Sequence, residues 1–165
     1  MNNKSVGYKI KNNNSSLGVE ILDFEYDHIF DDARVSDLRN LWLNYSIIIF
    51  KDLKLSHQQL ENFSLAFGNF GNDPYIDSID GHDNIIEVRR EADEKAPPFG
   101  ASWHSDWSFQ ECPPSATLLH SKIIPPIGGD TFFINTHKAY ADSVSYTHLR
   151  AHETEADLVC RLLLE

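Results

Sequence analysis

The order of the hydrophobic patterns constrains this chain most. Helical periodicity is confined to its early part, and short β-type apolar runs cut by Pro/Gly loops follow. Leu38, Leu41, Trp42 and Tyr45 recur at i, i+3, i+4 and i+7, which makes one apolar helix face. Asp31 or Asp32 can cap that helix, which runs to about Tyr45. Residues 56–59 (SHQQ) read as a capping box, with Ser56 capping and Gln59 reaching back. The helix behind it turns Leu60, Phe63 and Phe67 inward and stops at Gly68. Residues 17–24 read as a strand. Residues 47–50 (IIIF) are β-branched and wholly apolar, so a buried strand is expected there. Residues 84–90, 115–124 and 130–134 read as further strands, separated by loops at 69–81 and 91–100 and a turn at 125–129. Thr136 is the candidate cap of a short helix. A doubly wound sheet would alternate strand and helix throughout, so the expected class is α+β.

With 41% hydrophobic residues in 165, the chain has apolar material for one core and the length of one domain. Residues 1–16 are polar and read as a frayed start without the apolar stretch of a signal peptide. The net charge is −11, and the longest basic stretch, Arg89-Arg90, meets Glu91 at once. Nucleic acid is excluded as a partner on that ground, because phosphate binding needs clustered cations. No apolar run is long enough to span a bilayer, so no membrane partner is expected. Cys112 and Cys160 lack metal-type spacing and suggest a reducing, cytoplasmic setting.

The segment that carries chemistry is residues 103–109 (WHSDWSF). In extended backbone, His104 and Asp106 point to the same side, so an imidazole and a carboxylate can reach one ion. With a second histidine from elsewhere they would complete a 2-His-1-carboxylate triad, which leaves positions open on Fe(II). This is the one H-x-D or H-x-E among eight histidines. The plain alternative is a surface hydrogen bond between the two side chains. The flanking aromatics are either core or a dry wall around the site. In residues 124–135 (IPPIGGDTFFIN), Gly128-Gly129 supplies a turn and Thr131 opens an apolar strand, so the segment is an ordinary hairpin or one that presents the Thr131 hydroxyl to a bound carboxylate.

These motifs together resemble the W-H-x-D … PP … PP-x-GGDT-x-F-x-N signature of the TauD/TfdA (taurine dioxygenase-like) dioxygenases. The match runs through WHSDWSF and PPSATLLHSKIIPPIGGDTFFIN. Upstream, LGVEILDF, SIIIFKD and SHQQLENFSLAFGNFG are also similar to that family. The resemblance covers residues 17–143. It implies a double-stranded β-helix (jelly-roll) core, here partial, with flanking N-terminal helices. It implies Fe(II), 2-oxoglutarate as cosubstrate, dioxygen and a small-molecule substrate. The implied reaction hydroxylates the substrate while 2-oxoglutarate is decarboxylated to succinate. His104 and Asp106 would be metal ligands, and Thr131 would contact the 2-oxoglutarate carboxylate. Asp73 and Tyr75 lie where family members place substrate-contacting residues, although Asp73-Pro74 also reads as a plain turn. The loop lacks the histidine of taurine-type enzymes. His120 and His137 read as structural histidines, and Cys112 as a packed small residue.

The family's distal histidine ligand and its arginine for 2-oxoglutarate lie further beyond the H-x-D than this chain extends. Residues 144–165 also depart from the family and read as a non-native tail, and the chain is expected to be a fragment without activity. His148 and His152 share a helix face and, with Glu153, offer a rival metal site. Two other functions follow from these departures: a degenerate binding protein that has lost the site, and a zinc hydrolase of unrelated fold.

Overall fold

Capping chemistry places both early helices in the computed structural model, which describes residues 7–12, 17–73, 75–97 and 99–146. Helix α1 (Asp32–Tyr45) starts at Asp31, whose backbone is extended and whose Oδ1 accepts the N–H groups of Ala33 and Arg34 at 3.0 and 3.4 Å. Asp31 rather than Asp32 is therefore the cap. Helix α2 (His57–Phe67) starts with the expected box: Ser56 Oγ accepts the Gln59 N–H, and Gln59 Oε1 accepts the Ser56 N–H. Each bond satisfies an amide that the helix itself leaves without a partner.

Three short strands form one sheet in the order β1 (Lys9–Asn12), β2 (Val19–Leu22), β3 (Ile48–Phe50). β1 and β2 are antiparallel, with Lys9 opposite Leu22. β2 and β3 are parallel, with Ile21 opposite Phe50. A parallel pair needs a long crossover. A 3-10 helix (Tyr26–Phe30) and α1 provide it. Alternation along β2 buries Val19 and Ile21 completely. Ile21 then joins Tyr8, Phe24, Ile29, Leu38, Leu55 and Phe63 in one apolar cluster. Leu41, Leu60 and Phe67 pack against it, so both helices present the expected faces. Rings organise its centre: Phe50 lies 5.0 Å from Phe24 and 5.2 Å from Phe63, both edge-on.

Several expectations fail, each for a tertiary reason. The polar start is not frayed throughout, because Lys9–Asn12 pair with β2. Its side chains are all exposed, and Lys9 and Lys11 reach Asp23 and Glu20 across the strand pair. Backbone pairing, invisible to a hydrophobicity pattern, makes this strand. β3 is only half-buried, with Ile49 42% exposed, because it is an edge strand among the described residues. Residues 84–90, 115–124 and 130–134 form no strands; between α2 and residue 135 the described residues hold one isolated bridge, Ile79 with His82. Ile123 and Phe132 are 95% and 74% exposed. A strand needs a ladder partner for its N–H and C=O groups and a surface to cover one face, and among the described residues no ladder runs along these segments. The described architecture is a small mixed sheet with helices, consistent with α+β, and the jelly-roll core does not form within it. Helix α3 (Thr136–Tyr146) is present, but Asn135 Oδ1 accepts the Lys138 N–H, so Asn135 caps where Thr136 was expected. The rest of the unusual tail, residues 147–165 with His148 and His152, lies outside the described residues, as does Cys160.

The described residues divide between two compact units, one within Met1–Ile86 and Leu118–Gly129, the other within Glu87–Thr117 and Asp130–Glu165. In the first unit, His120 and Lys122 tie their segment to the chain before α2. The Leu55 N–H donates to His120 Nε2 at 3.4 Å, and Lys122 Nζ donates to the Leu55 carbonyl at 2.8 Å. His120 is thus structural, as its sequence context suggests. Burial, and then the charge of Lys122, hold its pKa below the ordinary histidine value. The sign follows: a depressed base keeps its full contribution above about pH 6.5, its unfolded value, and loses it as pH falls through the folded value. Protonation would also set a donor against the Leu55 N–H. Thermal unfolding followed from pH 7.5 to 5 is expected to show a falling midpoint that flattens in His120→Gln, which retains an acceptor but does not titrate. An equal slope in the variant would remove His120 as the cause.

Candidate metal centre

His104 and Asp106 sit in an irregular, exposed segment of the second unit. Two residues of chain cannot separate their side chains widely, and the local geometry closes the gap. His104 Nε2 lies 3.1 Å from Asp106 Oδ1. His104 Nδ1 lies 2.8 Å from the Ser102 carbonyl. A carbonyl only accepts, so Nδ1 carries the proton and donates. In the neutral ring Nε2 is then bare, and its lone pair faces a carboxylate oxygen. Two lone-pair donors facing each other at this distance leave room between them for a proton or a cation. Ligand atoms bound at right angles about 2.1 Å from one ion stand about 3.0 Å apart. The pair therefore fits two adjacent positions of a ferrous site, with its outer hydrogen bond already made. Both side chains are about half exposed, at 51% and 47%.

The flanking aromatics do not behave as core. Trp103 and Phe109 are 49% and 61% exposed. Trp107 is partly buried, stacks edge-on with Phe109 at 5.9 Å, and has φ +57°, a left-handed conformation that costs a bulky residue free energy. Its carbonyl accepts the Gln110 N–H and closes a turn directly behind Asp106. Cys112 is exposed and its thiol free, not packed as its position beside Pro113 suggested.

The other candidates are distributed. Thr131 belongs to the same unit as His104 and Asp106 and is exposed on the stretch before α3. Asp73 and Tyr75 belong to the first unit. Asp73 Oδ1 accepts the N–H groups of Tyr75 and Ile76 at 2.8 and 3.1 Å, and Oδ2 is buried. Asp73 thus shapes a turn, as the plain reading had it, and Tyr75 projects from that turn 76% exposed. Among the described residues no three His, Cys, Asp or Glu side chains converge as a metal site. Sequence reasoning missed Ser102, whose carbonyl bonds the His104 ring, and Gly100, where a Cβ would stand 3.1 Å from His104 Cε1; the Pro/Gly loop before the motif was the available signal.

The sequence model of the family described as "Taurine catabolism dioxygenase TauD, TfdA family" matches residues 8–144. The chain belongs to the TauD/TfdA family. An alkylsulfatase of Acinetobacter baylyi is 30% identical over 127 residues, 76% of this chain and 39% of that protein. An alpha-ketoglutarate-dependent sulfate ester dioxygenase of Pseudomonas putida is 28% identical over 76% of this chain and 41% of its own length. A solved taurine dioxygenase from Burkholderia xenovorans aligns over 47% of this chain and 28% of its own, at 24% identity and a TM-score of 0.42. This TauD/TfdA chain thus spans about two fifths of the curated relatives it matches. No helix among its described residues is long and apolar enough to cross a membrane.

Proposed function

We propose that this chain is the iron- and cosubstrate-contacting portion of an Fe(II)- and 2-oxoglutarate-dependent dioxygenase whose complete domain is a jelly roll. The observation that carries the reading is the 3.1 Å approach of His104 Nε2 to Asp106 Oδ1, with the far ring nitrogen already bonded to the Ser102 carbonyl. Ferrous iron, when bound, supplies activation of dioxygen. Substrate, dioxygen and 2-oxoglutarate give hydroxylated substrate, succinate and carbon dioxide. His104 and Asp106 hold the ion from one side, and a second histidine of the complete domain completes the set. Thr131 donates its hydroxyl hydrogen to a 2-oxoglutarate carboxylate. Asp73 shapes the turn that offers Tyr75 to substrate. Relatives named for sulfate esters and for phenoxypropionate support a small organic acid or ester as the substrate class. The free Cys112 thiol is consistent with a cytoplasmic setting. By itself the 165-residue chain is inactive in this reading, because two ligands without an arginine clamp hold metal and cosubstrate poorly.

The test is succinate formation by the full-length protein, reconstituted with Fe(II) without oxygen and then given oxygen, 2-oxoglutarate and a panel of sulfate esters and aryloxy acids. Succinate and hydroxylated product are expected in equal amounts. Stoichiometric zinc with turnover indifferent to 2-oxoglutarate would point to a hydrolase. Tight ligand binding without any succinate would point to a degenerate binding protein.

A further inference from the structure

We infer that Gly100 is the positioning residue of the His104 ring. The inference rests on the reading of His104 as a ligand and adds what sets its direction. Gly100 has φ +67°, a conformation that glycine adopts at no steric cost. A Cβ built on it would stand 3.1 Å from His104 Cε1 and 3.8 Å from Nε2. Carbon atoms pack comfortably at about 3.5–4.0 Å, so the ring occupies space that any side chain at position 100 would claim. Cε1 lies between the two ring nitrogens. Pressure there turns the ring about its own bond and disturbs both of its contacts: the 2.8 Å bond from Nδ1 to Ser102 and the 3.1 Å approach of Nε2 to Asp106. Because the imidazole is half exposed, core packing does not hold it. The Ser102 carbonyl does, and Gly100 leaves open the space the ring needs to reach it. Trp107 on the other side of the pair is also left-handed, so the H-x-D is bracketed by two residues with positive φ.

A comparison of glycines separates positioning from simple loop strain. Gly81 has φ +76° and nothing within 4 Å of a built Cβ, so Gly81→Ala carries the backbone cost without the ring contact. Gly100→Ala carries both. Gly100→Asn tolerates the left-handed backbone but still brings a Cβ. Each variant of the full-length protein, with histidine ring nitrogens labelled, is titrated with cobalt(II) alone. The readouts are the apparent cobalt affinity and the ring nitrogen shifts of His104, assigned by their loss in His104→Ala. Gly100→Ala and Gly100→Asn are expected to weaken cobalt binding about tenfold or more, as loss of an orienting partner does. They are also expected to shift His104 away from the Nδ1-protonated tautomer. Gly81→Ala should do neither. The inference is overturned if Gly100→Ala behaves like Gly81→Ala, or if Gly100→Asn restores wild-type affinity and tautomer. A different result, unchanged cobalt binding in His104→Ala, would overturn the ligand reading beneath it.

Discussion

Alanine at His104 or at Asp106 in the full-length protein is expected to lower Fe(II) affinity about 100-fold or more and to abolish succinate formation. The magnitude follows from outer partners. Removing a group that merely orients a ligand costs about 10–100-fold in affinity or activity, so removing the ligand should reach or pass the upper figure. Stability should hardly move. Neither side chain belongs to the apolar cluster, and both are about half exposed. Substitutions of that kind stay within about 0.5 kcal/mol. Anaerobic iron titration together with urea unfolding checks both halves. Iron affinity and turnover that survive either substitution would show that the pair is only a surface hydrogen bond. A large loss of stability would show a structural role instead.

Phe63→Ala should have the largest effect on folding, about 3–5 kcal/mol. Phe63 is 4% exposed and lies within ring contact of Phe24, Phe50 and Phe67. Those partners come from the segment after β2, from β3 and from α2, so one ring joins three parts of the unit. A typical domain has only about 5–15 kcal/mol of stability, so the variant should be marginal or unfolded at room temperature. Phe132→Ala is the matched comparison. Phe132 is 74% exposed, and its loss should cost less than about 0.5 kcal/mol. Urea denaturation of both in this chain decides the matter. Comparable losses would mean that residues 130–134 are packed in solution and that the cluster around Phe63 is not the principal core.

The legibility of the fold follows the range of the forces involved. Asp31, Ser56 and Gln59 act on amides two or three residues away, so the starts of α1 and α2 can be read from neighbouring letters. The 3.6-residue period likewise marks Leu38 and Phe63 as inward before any partner is known. β1 shows the opposite case. Its four residues, KIKN, carry no inward-facing pattern, and its pairing partner begins seven residues later. The segments at 84–90, 115–124 and 130–134 have strand-like composition without strand structure, because composition does not supply a neighbouring edge. At the candidate centre the motif itself was legible, since H-x-D is a local spacing. The Asp73 turn was legible too, but the Ser102 bond and the slot at Gly100 were not, because each depends on the path of the backbone.

Helix starts, apolar faces, the family and the adjacency of an imidazole to a carboxylate all follow from the order of residues, for they depend on contacts within a few positions or on the motif alone. Tertiary structure decided which β-type segments pair, that β3 lies at an edge, and which way the His104 ring is turned. The physical reason is one and the same. Ladder hydrogen bonds and the orientation of a half-exposed side chain are satisfied only by groups that folding brings alongside, and a one-dimensional pattern does not say which groups those will be.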